Sequence, residues 1–260
     1  MKDFFYECSK DNGGRVFVQT QVSPKSRVHF HKAIELSYVF EGEANYCIEG
    51  TPLVVATDQL VFSYAYYTHS SAAYKPFSQY TIAVPANFSA DIVSLFKGDI
   101  LPVLLDDMEF NRTLKPYFEC MMKTDDRTPD IVIKGYINLI FGLLVEHYRD
   151  RMVAPKHKNV QLITEILDYV EEHYEENISL AVIAEHFNYN KSYFSRFFNK
   201  HVGLSLNDYI NGVRLDRYEE LVKLYPDKGV AELIFQAGFQ SLATFYRVRD
   251  FRERATKERE

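Results

Sequence analysis

The sequence lacks several features that would assign it to a specialised class of protein. It has no tryptophan and only three cysteines, Cys8, Cys47 and Cys120, in 260 residues. An odd number of cysteines without pairing or metal-ligand spacing argues against a disulfide framework or a zinc cluster. No apolar run approaches the roughly 20 residues that span a bilayer, and the first residues contain no signal-peptide core. We therefore expect a soluble protein of the reducing cytoplasm, with no membrane partner.

The chain also lacks an excess of basic residues. It carries 30 Lys and Arg against 36 Asp and Glu, a formal net charge of -6. Charge of this sign argues against indiscriminate binding to nucleic acid, so any DNA contact must come from a local cluster of basic side chains. Hydrophobic residues make up 47% and charged residues 25%, which is the balance of an ordinary globular protein.

The pattern of the sequence changes twice along the chain. Between residues 15 and 85, short runs rich in Val, Ile, Tyr and Phe are separated by turn residues, which predicts the strands of a sandwich or barrel. After about residue 87 the apolar period becomes helical, and beyond a linker at 152–159 only helical patterns follow. We predict an α+β multidomain protein with a β domain at 1–104, a helical connector at 105–158 and an all-α domain at 159–260.

The connector contains a long apolar stripe. A helix predicted at about 130–151 places six residues on one face: Val132, Tyr136, Leu139, Ile140, Leu143 and His147. This stripe either packs against the β domain or forms the seam of a homodimer. The sequence alone leaves both alternatives open.

The C-terminal region contains two copies of a short helix, a tight turn and a second helix. In the first copy Ser179 suits the N-cap of the short helix, and Asn188 and Asn190 suit the turn and the next cap. Ala184 supplies the small residue that two crossing helices need at their closest approach. The second helix, which ends before Gly203, has Lys and Arg residues but no acidic residue. A basic face of this kind suits contact with DNA phosphates and base edges.

These helices resemble the DNA-binding domain of AraC-type bacterial transcription regulators. The first copy, "LAVIAEHFNYNKSYFSRFFNKHVG", is followed by Tyr209 and Arg214-Leu215, and the second carries Gly238-Phe239 and "TFYR". The resemblance implies two recognition helices that enter successive major grooves about 34 Å apart. The predicted DNA-contacting residues are Lys191, Ser192, Ser195, Arg196, Asn199, Lys200, Gln240, Ser241, Ala243, Thr244 and Arg247. Among these, Arg196 and Gln240 are expected to contact bases. Lys200 and Arg247 are expected to contact phosphates.

Two positions in the second copy depart from the family pattern. Ile234 stands where the family has a small alanine, and Arg249 stands where it has a packing phenylalanine. The glycine, the proline and the tyrosine-arginine pair that usually close the domain are also absent. We therefore expect the second motif to be altered at its end or weaker on DNA.

The stretch "HFHKAIELSYVFEG" has the residues of a metal or ligand site. His29, His31, Glu35 and Gly42 match the spacing of the first cupin motif, and His69 lies where the second cupin motif places its histidine. His29 and His31 share one face of a strand because side chains alternate. Three imidazoles and a carboxylate can hold a divalent metal ion. The candidate metal ligands are therefore His29, His31, Glu35 and His69.

Other residues favour a ligand pocket without a metal cofactor. Ser23 replaces the expected glycine of the first motif, and "SYAYY" replaces the proline-x-glycine of the second. The resemblance to AraC-type sensors implies that the histidines and the glutamate form a pocket wall. Tyrosine rings with a hydroxyl suit a small polar molecule such as a sugar. The predicted ligand-binding residues are His29, His31, Glu35, Tyr46, Tyr64 and His69.

Together these patterns predict a transcription regulator with a cupin-like β-barrel sensor and two helix-turn-helix motifs. The expected partners are an operator in double-stranded DNA, a small-molecule effector, RNA polymerase and a second copy in a homodimer. We expect no enzymatic activity. The alternative is a metal-dependent cupin enzyme with an accessory helical domain.

Overall fold

The structure is a computed structural model that describes residues 4–7, 15–96, 98–125, 127–155 and 161–257. The chain divides into two compact units, residues 1–160 and 161–260. Cys8 and residues 156–159 of the predicted linker lie outside the described residues. Within the described part of the chain, no helix combines the length and the apolar character that crossing a membrane requires.

The N-terminal unit is organised around one 15-residue strand, β4. The strands are β1 (Phe5–Tyr6), β2 (Phe17–Val22), β3 (His29–Phe30), β4 (Ile34–Ile48), β5 (Thr51–Ala56), β6 (Gln59–Ser63), β7 (His69–Ala72), β8 (Phe77–Val84) and β9 (Leu104–Leu105). The first part of β4 pairs with β6 and β8, and its second part pairs with β5 and β7, all antiparallel. β3 pairs with β7 and in parallel with β1, while β2 extends the sheet from β8 and β9 from β6.

The α+β fold class is confirmed, but the predicted barrel does not close among the described residues. The strands β1, β2, β5 and β9 each have one strand partner there, so the sheet keeps open edges. A bulge between Val39 and Glu41 allows β4 to pair with four strands in succession. Gly42 follows at φ 81°, and a Cβ at this position would clash with the Pro76 carbonyl oxygen. The path of β4 therefore depends on a glycine after the bulge.

Three helices of this unit are α1 (Ala86–Phe96), α2 (Met108–Met121) and α3 (Asp130–His147). Of the stripe predicted for α3, Ile140 is buried, whereas Val132 and Leu139 are exposed at 42% and 41%. The stripe as a whole therefore does not pack against the β domain, and its role as a dimer seam stays a prediction. The buried face instead consists of Ile137, Ile140, Phe141, Leu144 and Val145. Apolar residues occur on several sides of this helix, so the helical period alone does not select the buried side.

The C-terminal unit contains α4 (Gln161–His173), α5 (Leu180–His186), α6 (Lys191–Val202), α7 (Leu206–Leu224), α8 (Val230–Gln236) and α9 (Leu242–Lys257). The predicted caps are confirmed. The Ser179 side chain accepts a hydrogen bond from an amide of α5, and the Asn190 side chain accepts two from α6. Asn188 has φ 59° in the turn between these helices, a conformation that asparagine tolerates. These local signals set where α5 and α6 begin.

Candidate functional site

Three histidines and a glutamate from neighbouring strands meet inside the N-terminal unit. His29 on β3 lies opposite His69 on β7, and His31 follows β3. Glu35 is the second residue of β4 and pairs with Ser63 of β6. The ring centroids of His29 and His69 are 4.2 Å apart, and those of His31 and His69 are 4.8 Å apart. None of these four residues is more than 8% exposed. The fold thus places all four candidate metal ligands in one buried cluster.

In each of the three histidines, the Nδ1 atom lies within hydrogen-bond distance of a backbone carbonyl oxygen. The distances are 2.8 Å to Arg27, 3.0 Å to Ala33 and 2.8 Å to Tyr67. Since a carbonyl oxygen can only accept a hydrogen bond, Nδ1 carries the hydrogen, and in the neutral ring Nε2 carries the lone pair. Histidines that coordinate metals are commonly fixed in this way, with the second nitrogen donating to a carbonyl or a carboxylate.

Two carboxylates contact the Nε2 atoms. Glu35 Oε2 lies 3.3 Å from Nε2 of His31, and its Oε1 lies 3.9 Å from Nε2 of His69. Glu7 Oε2 lies 3.0 Å from Nε2 of His29. Burial, reinforced by the neighbouring histidines, lowers the pKa of His69 to about 3. Burial also lowers the pKa of His29, but hydrogen bonds to Glu7 and a backbone carbonyl outweigh it and raise the net pKa above 6.5. A proton is therefore favoured at His29 and disfavoured at His69.

The residues of this cluster fit a divalent metal ion. One ring nitrogen from each of His29, His31 and His69 lies within 4.8 Å of the others. Within the described structure, the Nε2 atoms of His31 and His69 are buried and receive no hydrogen bond. Imidazole nitrogens together with a carboxylate suit zinc, iron, cobalt or nickel. An ion held here would act as a Lewis acid toward an oxygen ligand bound beside it.

A cavity of about 200 Å³ lies beside the cluster. Four of the predicted ligand-binding residues line it: His29, Glu35, Tyr46 and His69. The other two, His31 and Tyr64, are not part of the lining. The Tyr64 ring instead makes edge contacts with the rings of Tyr67 and Phe96. Tyr64 therefore contributes to packing in this structure.

The cavity wall also contains glutamines, which are not among the predicted ligand-binding residues. The Tyr46 hydroxyl donates to Gln79 Oε1 at 2.5 Å, and Gln79 Nε2 donates to Gln21 Oε1 at 2.8 Å. The Thr81 hydroxyl donates to Gln21 Oε1 at 2.9 Å. The alternation in "FVQTQV", which places Gln19 and Gln21 on one face of β2, was the available sequence signal. This network adds the side chains of Gln21, Tyr46 and Gln79 to the polar groups of the cavity wall.

The second candidate site is the exposed face of α6. Ile183 and Ala184 of α5 and Phe194 and Phe198 of α6 are buried, and these two helices contact each other. Five predicted DNA-contacting residues of α6 are exposed: Lys191, Ser192, Arg196, Asn199 and Lys200. The sixth, Ser195, is half-buried. The packing therefore leaves the basic side of α6 accessible to solvent.

The predicted DNA-contacting residues at α9 differ in their exposure to solvent. Gln240, Ala243 and Arg247 are exposed, whereas Ser241 and Thr244 are half-buried. The Thr244 amide donates to Ser241 Oγ at 3.2 Å, and the two hydroxyls lie 3.0 Å apart. Gln240 Nε2 donates to the Gly238 carbonyl at 3.2 Å. Ser241 thus caps the start of α9, a structural role that the sequence pattern did not assign to it.

Comparisons with known proteins agree with this geometry. The family described as "Helix-turn-helix domain" matches residues 183–255. This match lies within the C-terminal unit, which therefore contains a helix-turn-helix domain. An uncharacterised HTH-type transcriptional regulator from Staphylococcus aureus (strain COL) is 28% identical over 89 residues, which are 34% of this chain and 12% of that protein. The uncharacterised HTH-type transcriptional regulator YijO from Escherichia coli (strain K12) is 30% identical over 113 residues, 42% of this chain and 40% of that protein.

The chain thus matches less than half the length of each of these relatives. Among solved structures, the AraC-like transcriptional activator CuxR aligns with 85% of this chain and 82% of its own, at 13% identity and a TM-score of 0.49.

Arg214 and Gly238 contact the same backbone segment of the C-terminal unit. Arg214 Nε donates to the Tyr174 carbonyl at 2.8 Å, and Nη2 donates to the Glu176 carbonyl at 2.8 Å. Gly238 has φ 89°, and a Cβ added there would clash with the same Tyr174 carbonyl and lie 3.1 Å from Arg214 Nε. Arg214 and Gly238 therefore connect α7 and the turn after α8 to the segment that follows α4.

The two departures from the family pattern are accommodated by packing. Ile234 is fully buried in a core with Leu215, Phe239 and Phe245. The Arg249 guanidinium lies over the Tyr246 ring, 4.9 Å from its centroid, and 5.7 Å from that of Phe245. Arg249 thus lies against aromatic rings at the position where the family has a phenylalanine.

Proposed function

We propose that the chain is a DNA-binding transcriptional regulator whose N-terminal unit binds a small-molecule effector. The observation that carries this proposal is the exposed, acid-free basic face of α6 on an AraC-type helix-turn-helix domain. Lys191, Arg196 and Lys200 concentrate positive charge there in a chain whose net charge is -6. Because neutralisation of phosphates supplies much of the affinity for DNA, this face is where the duplex would bind. The regulators that the chain resembles support the proposal.

The proposed contacts separate into two types. Arg196 and Gln240 would contact base edges, where one bidentate contact contributes about 1–3 kcal/mol of discrimination between bases. Lys200 and Arg247 would contact phosphates. Loss of a phosphate contact weakens binding to every DNA sequence by a similar amount. The two types predict different results when each residue is replaced.

The test is a selection of preferred DNA from a random library with the full chain, followed by binding assays on variants. Arg196→Ala should lower affinity for the selected sequence by about 1–3 kcal/mol more than for random DNA. Arg149→Ala is the matched control, because Arg149 is an exposed arginine of the N-terminal unit. Equal losses on selected and random DNA would reject a base-reading role for Arg196.

The effector would occupy the cavity beside the histidine cluster. Its volume of about 200 Å³ is below the roughly 300–1,000 Å³ of sites for drug-sized molecules, so the effector is small. Glutamine, tyrosine and serine side chains in the wall suit a molecule with several hydroxyl or carboxylate groups, and sugars are one such class. A ligand that binds only the folded state raises the melting temperature with its concentration, so a thermal-shift screen identifies it.

The regulator would act as a homodimer that contacts RNA polymerase. A homodimer would present two helix-turn-helix domains to one operator, and contact with RNA polymerase would convert binding into a change in transcription. The effector would act by shifting the populations of conformations that bind DNA differently. The histidine cluster also favours a second candidate, a metal-dependent enzyme. That candidate predicts turnover of a substrate and no preferred DNA sequence from the selection.

A further inference from the structure

In the histidine cluster, a nitrogen lone pair faces a carboxylate oxygen, and both are hydrogen-bond acceptors. His31 Nδ1 must carry a hydrogen because it faces the Ala33 carbonyl at 3.0 Å. In the neutral ring, the Nε2 lone pair then faces the Glu35 carboxylate at 3.3 Å. Two acceptors at this distance repel each other unless a cation lies between them. The cluster therefore calls for a positive charge at the Nε2 side of the rings.

His69 repeats the same arrangement. Its Nδ1 faces the Tyr67 carbonyl at 2.8 Å, and Ser63 Oγ lies 3.2 Å from the same nitrogen. Its Nε2 is buried, receives no hydrogen bond within the described structure, and lies 3.9 Å from Glu35. A buried polar atom without a partner costs roughly 1–3 kcal/mol. A single ion between the rings would satisfy Nε2 of both His31 and His69, whereas a single proton would satisfy one.

We propose that the N-terminal unit binds a divalent transition-metal ion through Nε2 of His29, His31 and His69, with the Glu35 carboxylate as the fourth ligand. The proposal concerns the same site as the proposed effector cavity, and its regulatory part rests on that proposed function. Three imidazoles and a carboxylate suit zinc, iron, cobalt or nickel better than calcium or magnesium. The Nδ1 contacts to three backbone carbonyls orient the rings before the ion binds.

The cavity gives this centre an open side. His29, Glu35 and His69 line the cavity, whereas His31 does not. A metal with four protein ligands and one accessible side can take a further oxygen ligand from a small molecule. Glu7 Oε2 lies 3.0 Å from His29 Nε2 and competes with the ion for that nitrogen. Metal occupancy and effector binding are therefore coupled at one site.

The first experiment measures metal binding directly. The full chain is purified without a histidine tag, stripped with a chelator and titrated with Co²⁺, whose visible absorption reports ligand type and coordination. Wild-type protein should bind a single equivalent with intense bands of low coordination number. Loss of an outer-shell partner already costs roughly 10–100-fold in affinity, so His69→Ala should cost more than about 100-fold. His147→Ala is the control, because His147 is an exposed histidine of the same unit.

Two further measurements keep the result interpretable. His69→Gln retains a polar side chain of similar size and should also lose the metal, while circular dichroism checks that both variants fold. Wild-type protein that binds Co²⁺ and Zn²⁺ no better than His69→Gln does would overturn the proposal. So would a Co²⁺ spectrum that His31→Gln leaves unchanged.

A DNA-binding assay separates the metal centre from the proposed regulator. The affinity of the full chain for the DNA sequence selected above is measured with and without saturating Zn²⁺, and again for His69→Gln. A zinc-dependent change in the wild type alone supports metal occupancy as part of sensing. Stoichiometric metal without any preferred DNA sequence would overturn the proposed function and leave the metal centre standing. Sequence-specific binding without metal uptake would do the reverse.

Discussion

Gly238 provides a sharp test of how the helix-turn-helix domain is held together, because Gly203 is a matched control in the same unit. Both glycines follow a helix and have positive φ, 89° for Gly238 and 76° for Gly203. A Cβ at Gly203 meets no atom within 4 Å, whereas one at Gly238 would clash with the Tyr174 carbonyl that Arg214 holds. The two positions therefore share a left-handed backbone conformation, and only Gly238 adds a steric conflict.

The expected losses in the free energy of unfolding follow from the backbone strain and from the steric conflict. Gly203→Ala should cost about 1–2 kcal/mol, the strain of a left-handed conformation for a residue with a Cβ. Gly238→Ala adds about 1–3 kcal/mol of overpacking against a backbone that the Arg214 hydrogen bond keeps in place. Urea unfolding of the full chain, followed by far-ultraviolet circular dichroism, measures both costs in the transition of the C-terminal unit. Equal destabilisation by the two variants, within about 0.5 kcal/mol, would refute the close approach at Gly238.

Two further predictions concern buried polar groups. Asn111, fully buried in α2, donates to the carbonyls of Asp58 and Leu105 and accepts from Tyr148. Asn111→Ala should therefore destabilise the N-terminal unit by about 2–4 kcal/mol in urea unfolding, and a cost below 1 kcal/mol would contradict this network. Burial raises the pKa of Asp216 to about 6 despite the nearby Arg252 guanidinium. Because the folded state then binds a proton more tightly, wild type should gain stability over Asp216→Asn, by at most about 3 kcal/mol, as the pH falls from 7 to 4. Parallel pH profiles would contradict the raised pKa.

Local signals in the sequence predicted the C-terminal unit well. Ser179 and Asn190 cap their helices as expected, and the basic residues of α6 are exposed. Caps, turn residues and helical periodicity act over a few residues, so they can be read without knowledge of distant contacts. Gly238 and Arg214 were recognised as family hallmarks. Their structural reason, a shared contact with the Tyr174 carbonyl, requires the tertiary fold.

In the N-terminal unit, local sequence patterns predict the contacts of individual side chains less well. The three histidines are buried, as the pattern predicts, but alternation along a strand does not explain it. β3 ends at Phe30, which is as buried as the histidines on either side of it. Tyr64 packs outside the cavity, and Gln21 and Gln79 line it, because the neighbours of a strand residue depend on which strands pair. For a similar reason, the sequence does not fix the buried side of α3. Its apolar residues occupy several sides, and only packing selects Ile137 and Phe141 over Val132.

The most direct test of the central claim is the selection of DNA by the wild-type full chain. The proposed function predicts one enriched sequence in which each copy of the chain contacts two conserved segments about one helical turn apart, since its two recognition helices would contact successive major grooves. Binding to that sequence should exceed binding to random DNA by roughly 10³-fold or more at physiological salt. A library that shows no enriched sequence, or equal affinity for selected and random DNA, would contradict the assignment of this chain as a sequence-specific regulator.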